Sequence, residues 1–400
     1  MLIWDLFQGI HTFFLVHTDV AIARLVLIAL GFLLIYLGWK GTLEPLLMIP
    51  MGIGMFGVNG GLLVLEGGKV GNLFLDPMAG NVEELMNLLQ IDFLQPIYTF
   101  TFSNGLIACL VFMGIGAITD LDYLMARPFM SFFLAACAEL GTVLTLPIAM
   151  ACGLHPPEAA SIALVGGADG PMVLFGSLKM AKDLFIPITV VAYVYLSVCY
   201  AGYPYLAKII PKRMRGEEMD FHKIPQVSPG AKFAFAIIAC AVLCVLFPVA
   251  APLFACFFVG VAIKEANIVK YVELLSGPVL YGSTFFLGFT LGALLGADVL
   301  LNEKVLLLLF LGMVALLLSG LGGLIGGLIY RRFSKEPFNP LVGLAAVSCV
   351  PTTAKVAQKC AREANKKCMI LPFCMGPNVA GVITTAIITG IYVAGIGFID

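Results

Sequence analysis

Charge is what this 400-residue chain has least of: Asp, Glu, Lys and Arg together make up only 12% of it, about half the share found in ordinary soluble domains. A surface that poor in charge cannot face water all round, so a soluble globular protein is excluded. The formal net charge of −1 gives no indication of a nucleic-acid partner, and none is expected. The 11 Cys are scattered singly through apolar stretches, as at Cys109, Cys137, Cys152, Cys199, Cys240, Cys244 and Cys256, with neither metal-ligand nor disulfide-framework spacing. They read as small buried hydrophobes in a reducing setting. There is no phosphate loop, no dinucleotide fingerprint and no nucleophile elbow. No polar stretch is long enough to bury a core of its own, so any soluble catalytic chemistry has to be brought by other chains.

What the chain does have is apolar sequence. Hydrophobic residues account for 60% of it and the mean hydropathy is +1.02, which predicts an all-α polytopic membrane protein. Runs near the roughly 20 residues needed to cross a bilayer fall at 20–38, 42–63, 97–118, 128–153, 185–206, 278–297, 305–330 and 369–398. Residues 233–266 read as two short spans divided by Pro248 and Pro252. Segments 158–180 and 339–360 are less apolar, with helix breakers at their centres, and read as discontinuous helices near the midplane. The expected total is about 10–12 transmembrane segments. Residues 1–16, with Trp4, Phe7, Phe13 and Phe14, lack the basic start and cleavage site of a signal peptide and are expected to form an interfacial helix. The one substantial polar stretch, 208–232, carries Lys208, Lys212, Arg213, Arg215 and Lys223, so the positive-inside rule places it in the cytoplasm.

An internal repeat divides the chain. Gly116-Ala117 followed by Asp122 is echoed by Gly292-Ala293 followed by Asp298, and a broken segment follows each. Pro45-Leu46 opening one span is echoed by Pro252-Leu253 opening another. The expected organisation is an N-terminal half, 1–207, with the broken segment 158–180; the basic loop 208–232; and a C-terminal half, 233–400, with the broken segment 339–360. Paired interrupted helices of this kind build midplane sites in secondary transporters.

The most informative residue is Asp169, a lone carboxylate in Gly166-Gly167-Ala168-Asp169-Gly170-Pro171. A charge at bilayer depth costs at least roughly 2.5–3.5 kcal/mol and usually marks an ion pathway. The flanking Gly and Pro free backbone carbonyls, which at that depth need protein, water or an ion as a partner. Carboxylate plus bare carbonyl oxygens suits a hard cation such as Na⁺ and does not suit zinc or copper. In the second broken segment Ser348 precedes Pro351, and Asn339 stands before Pro340 where it either caps a helix or offers an amide oxygen. Asn378 follows Gly376-Pro377 in the last span. Glu139, in the middle of span 128–153, is either functional or a hydrogen-bonded packing residue.

These runs resemble the β-subunit family of sodium-translocating biotin-dependent decarboxylases, which act on oxaloacetate, methylmalonyl-CoA or glutaconyl-CoA. The resemblance extends from Glu44-Pro45-Leu46-Leu47 through Glu158-Ala159-Ala160-Ser161-Ile162 and Gly166 to Pro171, and on to Met375-Gly376-Pro377-Asn378-Val379-Ala380-Gly381. It implies a subunit of the cell (inner) membrane at which carboxybiotin, presented by a partner, is decarboxylated while Na⁺ moves outward and a proton is consumed. The implied partners are biotin-carrier and carboxyltransferase subunits and a small membrane-anchor subunit, with this chain a homotrimer in the lipid bilayer. The resemblance implies catalytic roles for Asp169, Tyr195 and Lys355, and Na⁺ binding by Asp169, Asn339, Gly343, Ser348 and Asn378. Lys355 stands where relatives often carry Arg, and Lys cannot form the bidentate fork to a carboxylate. Thr384-Thr385 stands where relatives tend to have Gly-Ser. Without a partner chain, the same broken-helix pattern would serve a cation-coupled symporter or Na⁺/H⁺ antiporter.

Overall fold

A computed structural model describes residues 7–64, 70–77, 82–220 and 227–396. Trp4 of the expected interfacial helix and Lys223 of the basic loop lie outside the described residues. Among the described residues the one strand pair is antiparallel, Leu63–Val64 with Val70–Gly71, and the other regular elements are helices. Helices are the form an apolar chain must take in lipid, because each satisfies its own backbone. Seven of the described helices are long and apolar enough to cross a membrane, or nine if each of two bent pairs counts as one span. Pro45–Gly60 is a shorter apolar helix, and the two broken segments add pieces too short to span alone.

The chain forms two compact units, residues 1–107 with 281–307 and residues 108–280 with 308–400. In the first, Thr18–Trp39 packs along Pro45–Gly60 at a crossing where a Cβ on Gly31 would lie 2.8 Å from the Gly52 carbonyl oxygen. Small residues let these backbones touch. The fully buried Arg24 donates to the Asn59 carbonyl at 2.9 Å and the Thr12 hydroxyl at 3.1 Å, with its guanidinium 3.7 Å from the centre of the Phe13 ring. This ties down the first described helix, Gln8–Leu15. Farther along, a Cβ on Gly292 would lie 2.0 Å from the Met51 oxygen, and one on Gly54 2.3 Å from the Phe289 oxygen. Asn59 Nδ2 then caps the Leu295 carbonyl at 2.7 Å.

The second unit contains a contact of the same design. A Cβ on Gly116 would lie 2.1 Å from the Phe257 oxygen, and one on Gly260 2.1 Å from the Met113 oxygen. Lys264 Nζ donates to the carbonyl of Thr119, 176 positions before Leu295. Lys232 bridges Asp122 at 3.1 Å and Glu265 at 3.4 Å. In each unit two helices touch backbone to backbone at glycines, and a polar side chain near the end of one meets an orphan carbonyl at the end of the other. Such orphans end every helix and must find a donor when buried. The rest of this unit holds both broken segments, the span Pro128–Ala151 and the long helices Phe185–Ala207 and Leu371–Ile396.

Because the Gly116–Gly260 contact leaves no room for a side chain, Gly116→Val is expected to destabilise the protein by about 1–3 kcal/mol, the scale of an overpacked core. Gly230→Ala, where nothing lies within 4 Å of the added carbon, is the matched control. Thermal unfolding in detergent checks the pair.

Candidate functional site

The first broken segment runs as helix Pro156–Ala163, a 3₁₀ turn over Leu164–Gly167 and helix Gly170–Met180. The turn ends in Ala168, whose φ of 52° lies in the left-handed region, so the chain stops and restarts in a new direction. Asp169 is the residue that restarts it: its Oδ1 accepts from the Met172 N–H at 3.2 Å and caps the second piece. Its side chain is almost wholly buried. A Pro at the second helical position removes a donor that would otherwise be orphaned, which is why Asp-Gly-Pro serves at this point.

The second broken segment enters and leaves on one side. At its start, Asn339 Nδ2 donates to the carbonyls of Arg215 at 2.8 Å and Glu217 at 3.1 Å. At its end, Asn365 Nδ2 donates to the Gly216 carbonyl at 3.1 Å. Both ends are therefore tied to the same stretch of the basic loop, and residues 339–365 form a re-entrant hairpin. Its outgoing helix, Thr352–Ala364, has 13 residues and so reaches about 20 Å inward at 1.5 Å per residue. The helix therefore starts about 20 Å from its loop-bound end, and residues 345–351 just before it are not helical. Ala354, Val356, Ala357, Cys360 and Ala361 are buried, while Lys355, Lys359 and Arg362 are exposed.

The two breaks meet. Ser348 donates from its hydroxyl to the Gly167 carbonyl at 2.7 Å, and its backbone N–H points to the same oxygen at 3.2 Å. The helix Leu371–Ile396 braces the junction. Its Asn378 Nδ2 donates to the Ala345 carbonyl at 2.7 Å, the Val347 carbonyl at 3.2 Å and the Thr353 hydroxyl at 3.0 Å. Thr353 in turn donates to the Val347 carbonyl at 2.7 Å. Asn378 Oδ1 is buried with no hydrogen-bond partner. A Cβ on Gly381 would lie 2.3 Å from the Ala346 oxygen, and one on Gly167 would strike Thr385. The junction thus gathers a carboxylate, an amide oxygen without a partner, two hydroxyls and several non-helical carbonyls in a buried place. Every one is an oxygen, the donor set of a hard cation.

Of the seven residues singled out from sequence, the structure brings Asp169, Ser348 and Asn378 to this junction. Asn339 sits at the mouth of the hairpin, where its Oδ1 accepts from the Leu341 N–H at 3.0 Å and its amide holds the loop. Gly343 is a close-approach point: a Cβ there would lie 2.0 Å from the Gly323 oxygen. Tyr195 turns the other way, donating to the Leu309 carbonyl at 2.6 Å with its ring against Gly312. Lys355 is exposed on the outgoing helix. The tyrosine that does reach the first break is Tyr193, whose ring covers Gly170 and whose buried hydroxyl has no partner. Residues two apart on a helix point to nearly opposite sides, so the pair Tyr193-Val194-Tyr195 has one member facing each way. Glu139 and Thr385 also reach the junction, linked to each other by a hydrogen bond. A cavity of about 470 Å³ opens beside the hairpin mouth, lined among others by Tyr123, Arg127, Asp220, Tyr330, Phe338 and Phe373; no residue of the two breaks lines it.

Apolar helices of spanning length around two interrupted helices define an all-helical, multi-pass membrane protein. Residues 23–396 match the family described as the Na⁺-transporting oxaloacetate decarboxylase beta subunit, and the chain belongs to that family as a membrane subunit of the decarboxylase type. It is 53% identical over 393 residues to a carboxybiotin decarboxylase of Malonomonas rubra, covering 98% of this chain and 97% of that one. It is 33% identical to a methylmalonyl-CoA decarboxylase subunit beta of Propionigenium modestum, covering 93% and 94%. An oxaloacetate decarboxylase beta chain of Haemophilus ducreyi is 31% identical, covering 96% and 97%.

The geometry of Asn339 gives a local prediction. Asn339→Ala removes donors from two loop carbonyls, a loss of about 1–3 kcal/mol on the scale of unmade buried polar contacts. Faster tryptic cleavage after Arg213 or Arg215 is the expected outcome, with the Na⁺ concentration for half-maximal activity close to that of the wild type.

Proposed function

We propose that this chain decarboxylates carboxybiotin presented by a biotin-carrier partner and couples that reaction to outward Na⁺ movement with consumption of a proton. The observation that carries the reading is the junction of the two breaks, where Asp169 and the unpartnered Asn378 Oδ1 lie among non-helical carbonyls. Membership of a Na⁺-transporting family and the relatedness to a carboxybiotin decarboxylase support the chemistry. Asp169, Ser348 and Asn378 are the residues proposed to hold the cation. Asn339 and Gly343 shape the hairpin that delivers the second break. Lys355, exposed in the first turn of the outgoing helix, is proposed to act on carboxybiotin and not on the ion.

Two features of the chain support an alternating arrangement. The halves 1–207 and 233–400 are proposed as structural repeats, because the landmark helix that opens each half packs by glycine contact on the landmark helix of the other. The hairpin reaches inward from the basic loop 208–232, which is proposed to be cytoplasmic on the positive-inside rule. A site approached from that side suits uptake of Na⁺ from the cytoplasm next to a soluble partner. Cleavage of the N–CO₂ bond leaves its electron pair on the ureido nitrogen of biotin, which must then take up a proton. Tyr193, buried against the first break with its hydroxyl uncommitted, is the group of this chain best placed to hold that proton close to the cation. A homotrimer and a small anchoring subunit complete the proposed assembly in the cell membrane, with the carboxyltransferase selecting the acyl substrate.

Asp169→Asn removes the only formal charge on the first break and also a desolvation cost, so the chain is expected to insert and assemble normally. Na⁺-dependent decarboxylation of carboxybiotin by the purified complex should be lost; near-normal Na⁺-coupled turnover would overturn the assignment. Ser348→Ala and Asn378→Ala each remove a neutral oxygen, worth about 1–3 kcal/mol. Sodium titration should show half-activation raised roughly ten-fold, with the maximal rate largely recovered at high Na⁺. Loss of turnover at every Na⁺ concentration would move these residues from the ion to the chemistry.

A further inference from the structure

Glu139 is a second buried carboxylate that the proposed mechanism does not use. It sits where the span Pro128–Ala151 changes from one helical piece, Pro128–Ala138, to the next, Leu140–Ala151. That point is pressed against the first break, since a Cβ on Gly166 would lie 2.5 Å from the Thr142 backbone nitrogen. Glu139 is 4% exposed and, among the described residues, forms no ion pair. The titratable groups that face it are Asp169 across the break and Tyr392 on the bracing helix; neither is a cation. An ionised carboxylate so placed would be buried with no cationic side chain beside it, an arrangement proteins avoid by neutralising the group.

Counting protons gives an independent answer. One chain of close oxygen contacts runs through the site. Thr142 Oγ1 lies 2.6 Å from Glu139 Oε2, and Thr385 Oγ1 contacts Glu139 Oε1. Thr385 Oγ1 is also 3.0 Å from the Gly381 oxygen and 3.2 Å from Ser348 Oγ, and Ser348 Oγ is 2.7 Å from the Gly167 oxygen. Each hydroxyl carries one proton, and carbonyls and carboxylates carry none. Thr142, Thr385 and Ser348 therefore supply three protons to these five contacts, and Ser348 is a neighbour of Asp169 as well. With an ionised Glu139, two of the contacts pair lone pair with lone pair. A proton on Glu139 Oε1 relieves one of them and lets the chain run in a single direction, from Glu139 to Thr385 to Ser348 to the Gly167 carbonyl.

We infer that Glu139 is a neutral carboxylic acid that donates to Thr385, and that its neutrality leaves the junction with the single negative charge of Asp169. One charge among neutral oxygens matches a monovalent cation, whereas two carboxylates would favour a divalent one. Glu139 is then a positioning residue that sets the direction of the hydroxyls and the charge of the site. This inference rests on the ion-binding role proposed above for Asp169.

The test uses the complete decarboxylase complex in liposomes. The infrared difference spectrum between wild type and Glu139→Gln at neutral pH is expected to contain the carbonyl stretch of a protonated carboxylic acid, present only in the wild type. Glu139→Ala should raise the Na⁺ concentration for half-activation about ten-fold or more. Glu139→Gln should restore most of that loss, because an amide can donate to Thr385 and accept from Thr142. Ca²⁺ should fail to compete with equimolar Na⁺. A carboxylate band in place of the acid band, or Glu139→Gln weakening Na⁺ as much as Glu139→Ala, would overturn the inference. If the wild type is indifferent to Na⁺, the ion-binding role of the junction fails, while the infrared spectrum still decides the state of Glu139.

Discussion

The junction depends on one hydrogen-bonded meeting of two chain breaks, Ser348 on the Gly167 carbonyl. In a hydrocarbon setting, a carbonyl freed from its helix has to be met by protein, water or an ion. Here each break helps to satisfy the other, and what remains unsatisfied is confined to a small set of oxygens around Asp169 and Asn378. The glycine contacts serve the same constraint. Gly381 on Ala346 and Gly167 on Thr385 bring backbones close enough for those bonds to form. Larger residues there would separate the breaks and leave several carbonyls stranded together.

Much of this was legible in the sequence because membrane physics penalises exceptions so heavily. A carboxylate between Gly and Pro in apolar sequence has few innocent explanations, and Asp169 does sit at a break. Ser348 and Asn378 were marked by neighbouring prolines and glycines, and both lie at the junction. The destination of Asn339 was not legible, since its side chain answers to carbonyls of the loop at 215–217, more than a hundred residues earlier. Its sequence signature, Asn before Pro, suits a cap and a ligand equally. Tyr193 and Tyr195 show another limit. The resemblance marks only Tyr195, and the rotation of Phe185–Ala207 decides that Tyr193 lies at the first break while the Tyr195 hydroxyl meets Leu309. Glu139 is open to two readings because a mid-span acid looks the same whether it is neutral or charged until its neighbours are known.

Two scales of organisation coexist in the chain. By contact it forms two units that divide near 107 and 307, whereas by sequence landmarks it divides at the basic loop. The glycine contacts reconcile these divisions, since Gly54 with Gly292 lies inside one unit and Gly116 with Gly260 inside the other. Each unit therefore contains a helix from either half. Compactness follows packing, which is local in space; the landmarks follow chain order. Neither division alone would have located the junction, which draws on residues from 139 to 385.

The tip of the re-entrant hairpin, residues 345–351, has no helical ladder of its own, and its carbonyls are aimed by the side chains of Asn378 and Thr353. The backbone there is in effect upholstered onto a neighbouring helix. The orientation of oxygens at the junction is thus set in part by Thr353, which is not among the residues proposed to hold the cation. On the proposed reading, a change at Thr353 would re-aim the Val347 carbonyl while Asp169, Ser348 and Asn378 stay in place. Comparing only the proposed ligand residues between relatives would then miss such a position.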